Sequence, residues 1–417
     1  MQAAVQPSSW KTRLSALGPG IMMASAAIGG SHIVSSAQAG ALFGWQLAGL
    51  ILLTNLLKYP FFRFGPQYTV ESGRSLIEGY AGQGRGYLWV FFILCTVSSV
   101  ISTAGVGLLS AVILNSMLPA GFAVSGPVMA SLMMLVVWVM LIAGHYKALD
   151  GITKLIVIGL TVSTVAATFI AASKGSNMMP GFVEPSPWNL ATLPFLVALV
   201  GWMPAPIEIS AINSMWVRAK QKINPANYAD TIFDFNVGYI TSAILAIFFV
   251  AMGALVQYGN GEKLEPASAA YINQLVQMYG RTIGDWSRPV ITFIAFMCMF
   301  GTTITVVDGY SRASAEALRL LRGEKELRGR SISLWITGVS VVSLAIILLM
   351  QNQLAGMLKF AMTSAFVTAP IFAWLNLRLV NGEKDLSPAL RVLAYAGLAF
   401  LVGFTLLFLA NLAGLLG

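Results

Sequence analysis

Charge is what this 417-residue sequence has least of: Asp, Glu, Lys and Arg together make up 10% of it, where soluble domains carry about a quarter. A water-facing surface cannot be assembled over most of such a chain, which excludes an ordinary soluble protein. Cysteine is nearly missing as well. The only two, Cys95 and Cys298, sit in apolar runs with no paired spacing, which excludes a disulfide scaffold and a thiolate metal or redox centre. Histidine also numbers two, and no H-E-x-x-H spacing occurs. Acidic residues are fewer than basic ones, 16 against 25, and the net charge is +9. In a lipid-facing chain that excess reflects topology, and no nucleic-acid partner is expected. What is abundant is hydrophobic residues, at 57%, with a mean hydropathy of +0.76. The class that remains is an all-α polytopic membrane protein whose principal partner is the lipid bilayer. The N-terminus MQAAVQPSSWKTRLSAL leads into a long apolar stretch without a small-residue cleavage site, so no cleavable signal is expected.

A bilayer core takes about 20 apolar residues per helix, and about eleven runs qualify. They are Gly18–Leu42, Gln46–Phe64, Tyr87–Leu118, Gly126–Gly144, Ile152–Ser173, Leu190–Val217, Thr231–Val256, Arg288–Asp308, Ser331–Leu349, Leu354–Leu375 and Arg391–Leu416. Placing the N-terminus in the cytoplasm puts 20 of the 25 Lys and Arg on the inner side, Lys58 and Arg63 among them. The outer loops then hold Lys174, Lys263, Arg281 and Arg288, and Lys359 falls within a span. That asymmetry fits an odd helix count, an outside C-terminus and a bacterial inner membrane. In the longest outer loop, PASAAYINQLVQMYG reads as a surface helix, and no soluble domain is expected.

Two spans are interrupted near mid-membrane. The first carries Gly29-Gly30-Ser31-His32 at its centre, where the glycines weaken a helix. The sixth carries Met203-Pro204-Ala205-Pro206, and each proline removes a backbone donor and clashes with the preceding turn. Unpaired backbone groups persist in a bilayer only where protein, water or a bound solute satisfies them. Positions 29 and 203 lie 174 residues apart, as expected for two five-helix repeats in inverted orientation, residues 14–173 and 189–378, with an eleventh helix at 388–417. This is the arrangement of broken-helix secondary transporters.

Gly18-Pro19, Gln38-Ala39-Gly40-Ala41, Phe43-Gly44 and Met203-Pro204, together with Val70-Glu71-Ser72-Gly73 and Leu76-Ile77-Glu78, resemble the frame of the Nramp (natural resistance-associated macrophage protein) family of divalent-metal transporters. The resemblance covers most of the chain and implies a LeuT-type fold of inverted repeats and metal-ion transport. On that frame Gly29, Gly30, Ser31 and His32 stand where the family has Asp-Pro-Gly-Asn. Met203, the soft thioether ligand, is kept, with Val200 where an Ala is usual and Ala205 where a His is usual. Thr96 and Ser99 stand where the family has an Asp and a Glu implicated in proton movement.

These residues define the candidate site: Gly29, Gly30, Ser31, His32, Val200, Met203 and Ala205 for substrate, with His32 and Met203 as possible metal ligands. Glu208, on the inner half of the sixth span, is a candidate proton acceptor or ligand. Thr302 belongs to a polar face of the eighth span, and Asp308 is expected to pair with Arg312 four residues on. Lys359 is a candidate stand-in for a coupling cation, or a snorkelling side chain. Asp230 and Asp234 are expected at the interface.

Two substrate classes stay open: a divalent metal ion, or a small amino acid or carboxylate whose charge meets backbone donors of the break. Either would be coupled to H⁺ or Na⁺. An intramembrane enzyme using His32 and Glu208 lacks a nucleophile, so no enzymatic activity and no cofactor are expected.

Overall fold

The computed structural model of the chain describes residues 17–119, 122, 124–144, 146–175, 178–265, 269–350, 353–381 and 386–416. Lys11, Arg13 and Lys384, used above for orientation, and the first three residues of PASAAYINQLVQMYG lie outside them. The described residues form helices and no strand. In chain order the α-helices are α1 (Pro19–Ala27), α2 (Ala37–Phe43), α3 (Ala48–Ser72), α4 (Leu76–Gln83), α5 (Arg85–Ser116), α6 (Gly126–Ile142), α7 (Tyr146–Lys174) and α8 (Leu193–Trp202). They continue with α9 (Ile209–Ile223), α10 (Tyr228–Val256), α11 (Ala269–Ile283), α12 (Ser287–Arg322), α13 (Gly329–Leu349), α14 (Leu354–Val380) and α15 (Pro388–Leu412).

Every apolar run found in the sequence falls on one of these helices or on a broken pair. Six of them, α5, α10, α12, α13, α14 and α15, are long and apolar enough by themselves to cross a membrane. α13 and α15 lie at the periphery, with Leu334, Val341, Leu406 and Leu412 on outward faces. α11 buries Tyr271, Ile272, Leu275 and Tyr279 on one side against α7 and α12, as the surface helix read from the sequence.

Both expected breaks are present. α1 stops at Ala27, Ile28 leaves the helical region at ψ 87°, and the chain bends through Gly29-Gly30 into a π-helical turn, Ser31–Ser36, before α2. α8 stops at Trp202, and Met203 to Glu208 run irregularly until α9 begins. With Pro at 204 and 206, this segment keeps its carbonyls but loses two N–H groups.

The halves of the first broken helix are clamped to α10 by backbone contact. A Cβ on Gly20 would stand 2.0 Å from the Asp234 carbonyl oxygen, and one on Gly40 would stand 2.0 Å from that of Val250. Only residues without a side chain allow this approach, the usual device for packing membrane helices that gain nothing from burying apolar surface away from lipid. Asp234 also accepts hydrogen bonds from Gly18 N at 2.8 Å and Gly20 N at 2.7 Å, capping the start of α1. It is buried within the protein, and Asp230 is buried with it.

Candidate functional site

Between the two breaks lies a cavity of about 30 Å³, room for roughly one or two water molecules. The first break contributes Gly30 and Ser31, the second Trp202, Pro204, Ala205 and Pro206. α5 adds Ser102 and Val106, and α12 adds Thr302, Val306 and Tyr310. Close packing holds the walls in place: a Cβ on Gly30 would stand 3.0 Å from the Trp202 ring, and one on Gly29 3.1 Å from Thr302 Oγ1. The polar lining is hydroxyl-rich. Thr302 Oγ1 donates within its own helix to Cys298 O at 3.0 Å, and Ser31 Oγ lies 2.8 Å from Ala27 O.

Glu208 stands just behind this lining, at the residue before α9. Tyr310 donates to its Oε1 at 3.0 Å, while Oε2 is buried without a hydrogen-bond partner among the described residues. Trp202 Nε1, at the other end of the same break, is likewise buried and unpaired. Buried polar atoms are usually satisfied, and these two lie on either side of the second break.

The sequence reading missed Lys58. Counted there with the inner loops, it is fully buried in the middle of α3. Its Nζ donates to the carbonyls of Val200 at 2.6 Å and Gly201 at 3.0 Å, in the last turn of α8. A helix C-terminus carries partial negative charge, which offsets part of the several kcal/mol that burying an ammonium costs, and Val200 O also accepts from Met203 N at 3.3 Å. The place of Lys58 inside the apolar string NLLKYPFF was the available signal.

The remaining expected residues divide sharply. Gly30, Ser31, Ala205 and Thr302 line the cavity. His32 is not among its lining residues. Its Nε2 lies 2.9 Å from the Ser242 carbonyl, which can only accept, so Nε2 carries the proton. Its Nδ1 is covered by Ser31 Oγ at 2.7 Å. These contacts fasten the π-helical turn to α10. Met203 packs with Ala39, Leu47, Leu199 and Val250 in a separate apolar cluster and is not among the residues lining the cavity. Val200 takes part through its carbonyl alone, with Lys58. In α5, Ser99 Oγ donates to its own helix at Thr96 O, 2.7 Å away, and neither residue lines the cavity. Ser102 does, three residues beyond Ser99. Asp308 pairs with Arg312 at 2.7 Å as expected. Lys359 is exposed on a vestibule of about 510 Å³, together with Gln38, Phe43, Phe195 and Glu265. Among the described residues, no group of three or more His, Cys, Asp or Glu is placed to hold a metal ion.

The two ends of the bundle differ. One has this vestibule between α2, α8 and α14. At the other, Arg218 of α9 meets Glu78 of α4 at 2.9 Å and Glu316 of α12 at 4.0 Å, and Arg319 holds Glu316 at 2.7 Å. Asn213 of α9 donates to Pro19 O at 2.8 Å, drawing the start of α1 into the same closure.

Comparison with known proteins bears directly on this geometry. The family model of natural resistance-associated macrophage protein-like proteins matches residues 20–411. The chain belongs to the Nramp family. It is therefore an integral membrane protein of a transporter family and not an enzyme. It is 53% identical over 414 residues to uncharacterized protein PM0681 of Pasteurella multocida (strain Pm70), covering 98% of this chain and 95% of that one. A crystal structure of the Eremococcus coleocola manganese transporter, in complex with an aromatic bis-isothiourea substituted compound, superimposes with a TM-score of 0.74. That match has 12% identity and spans 99% of this chain and 90% of that one. Mhp1, a nucleobase-cation-symport-1 family transporter, gives a TM-score of 0.63 at 15% identity over 98% and 95% of the two chains. At these identities the likeness establishes the fold, which is the LeuT type with broken first and sixth membrane helices, as the Nramp resemblance implied.

Proposed function

We propose that this Nramp protein is a secondary transporter that moves a divalent metal ion across the membrane by alternating access, with a substrate site atypical for the family. The observation that carries this reading is the cavity between the two breaks. It has room for an ion with little of its water, and no room for an amino acid. Its hydroxyls and the proline-bordered carbonyls of Met203 to Glu208 are oxygen acceptors suited to a hard cation, and Glu208 behind Tyr310 is the carboxylate nearest at hand. Family membership and the manganese-transporter fold point the same way.

Under this reading, the residues nearest the cargo are Ser31, Ser102, Thr302, Tyr310 and Glu208, with His32 and Met203 in positioning roles. Residues 14–173 and 189–378 are the two inverted repeats, with 388–417 appended. The charged closure at Arg218 faces the cytoplasm of a bacterial inner membrane, and the vestibule at Lys359 faces outward. The cargo then enters from the vestibule side. The deciding experiment is uptake into proteoliposomes of Mn²⁺ and Mg²⁺, each with an imposed H⁺ or Na⁺ gradient, beside a panel of small amino acids and carboxylates. Saturable divalent uptake that falls at least tenfold in Glu208→Gln is expected. Accumulation of an organic solute with no divalent uptake would overturn the reading.

A further inference from the structure

We propose that the Lys58 side chain is a tethered cation built into the broken α8–α9 helix, filling from within the chain a place where a free monovalent cation would otherwise bind, so that the protein needs no added Na⁺ or K⁺ to hold its transport site together. The proposal rests on the transport reading for its meaning, but its thermal-unfolding test does not.

Three observations converge on it. Val200 and Gly201 are consecutive, and both carbonyls are directed at one nitrogen, at 2.6 and 3.0 Å. Two oxygens from the end of an interrupted helix form the kind of partial shell that binds a small cation in discontinuous membrane helices. The nitrogen belongs to another element, 142 residues away, and its residue is fully buried. Met203 N already caps Val200 O locally at 3.3 Å, so Lys58 is an additional partner, one that brings an amine into the bilayer core where an ordinary helix end needs none. The last turn of α8 is also fixed from its other side. A Cβ on Gly201 would stand 2.1 Å from the Met362 carbonyl oxygen of α14, so the two carbonyls are held in place between α3 and α14. With this position filled, Val200 O is withdrawn from the substrate, and the cargo is left to the hydroxyl-lined cavity and Glu208.

The test is Lys58→Met, which keeps the length of the side chain and removes the amine. Thermal unfolding of the purified variant and of the wild type is followed in NaCl, KCl and choline chloride at equal ionic strength. The wild type should unfold at the same temperature in all three. The variant should unfold several degrees lower in choline and recover most of that loss in Na⁺ or K⁺, as the free ion enters the vacated place. A folded variant with one unfolding temperature in all three salts would overturn the proposal and leave Lys58 as a helix cap. Should the variant fail to fold, wild-type uptake in a choline medium free of Na⁺ and K⁺ decides the matter. Uptake equal to that in Na⁺ is expected, and a requirement for Na⁺ or K⁺ would overturn the proposal. Absence of divalent uptake by the wild type, alongside the expected thermal result, would count against the metal reading only.

Discussion

His32 and Lys58 exchange the roles that their sequence settings suggest. A lone histidine inside a helix break reads as a ligand, and a lysine between apolar residues and Arg63 reads as part of the interface. Neither reading is false to the sequence, because the direction of a side chain depends on the exact turn at which the π-helical segment begins and on which neighbour α3 meets. Those are tertiary facts with no local signature. The cavity positions of Ser31, Ala205 and Thr302 were legible because they lie at the breaks or on a polar stripe, whereas the packing of Met203 in an apolar cluster was not, because thioethers fill cores as readily as they bind metals. Replacing His32 by Leu should therefore lower stability by about 1–3 kcal/mol, through loss of the Ser31 and Ser242 contacts, without weakening divalent binding by the folded fraction. Thermal unfolding and calorimetric titration of the same preparation separate the two effects. Tyr310→Phe removes the donor to Glu208 Oε1, leaving a buried carboxylate less well satisfied. It should weaken divalent uptake roughly tenfold, read as a rise in KM.

At the scale of elements the sequence was far more informative. Apolar run lengths located the spans, and Gly29-Gly30 and Pro204/Pro206 located the breaks, because backbone propensity and proline sterics act locally whatever the surroundings. What no run length discloses is how tightly the segments pack. The Gly20 and Gly40 contacts with α10 are backbone to backbone, so Gly20→Val should push α1 off α10, disturb the Asp234 cap and cost at least about 2 kcal/mol. Its measure is the yield of monodisperse protein and the unfolding temperature. Gly82→Val, at a position where a side chain meets nothing, is the matched control and should leave both nearly unchanged.

For the molecule as a whole, the ends of the bundle set the conformational preference. The Glu78–Arg218–Glu316 contacts join α4, α9 and α12, and with the Asn213 bond to Pro19 they tie one end together around a surface cavity of about 640 Å³ that Arg218, Glu316 and Arg319 border, while the vestibule lies at the other. Partly exposed ion pairs contribute little individually, so Arg218→Gln should shift the balance toward opening at the closed end by about 1 kcal/mol, roughly fivefold in population. Alkylation of a single thiol at Ala205→Cys, in a background lacking Cys95 and Cys298, reads this as faster labelling from the Arg218 side of oriented vesicles. The small central cavity has a consequence for the cell that runs beyond selectivity. A chamber with room for roughly one or two waters cannot carry a hydrated alkali ion as a stowaway. On the proposed transport reading, each turn of the cycle would move its cargo without a parallel leak, and the membrane's stored gradient would be spared the slow short-circuit that a roomier chamber would open.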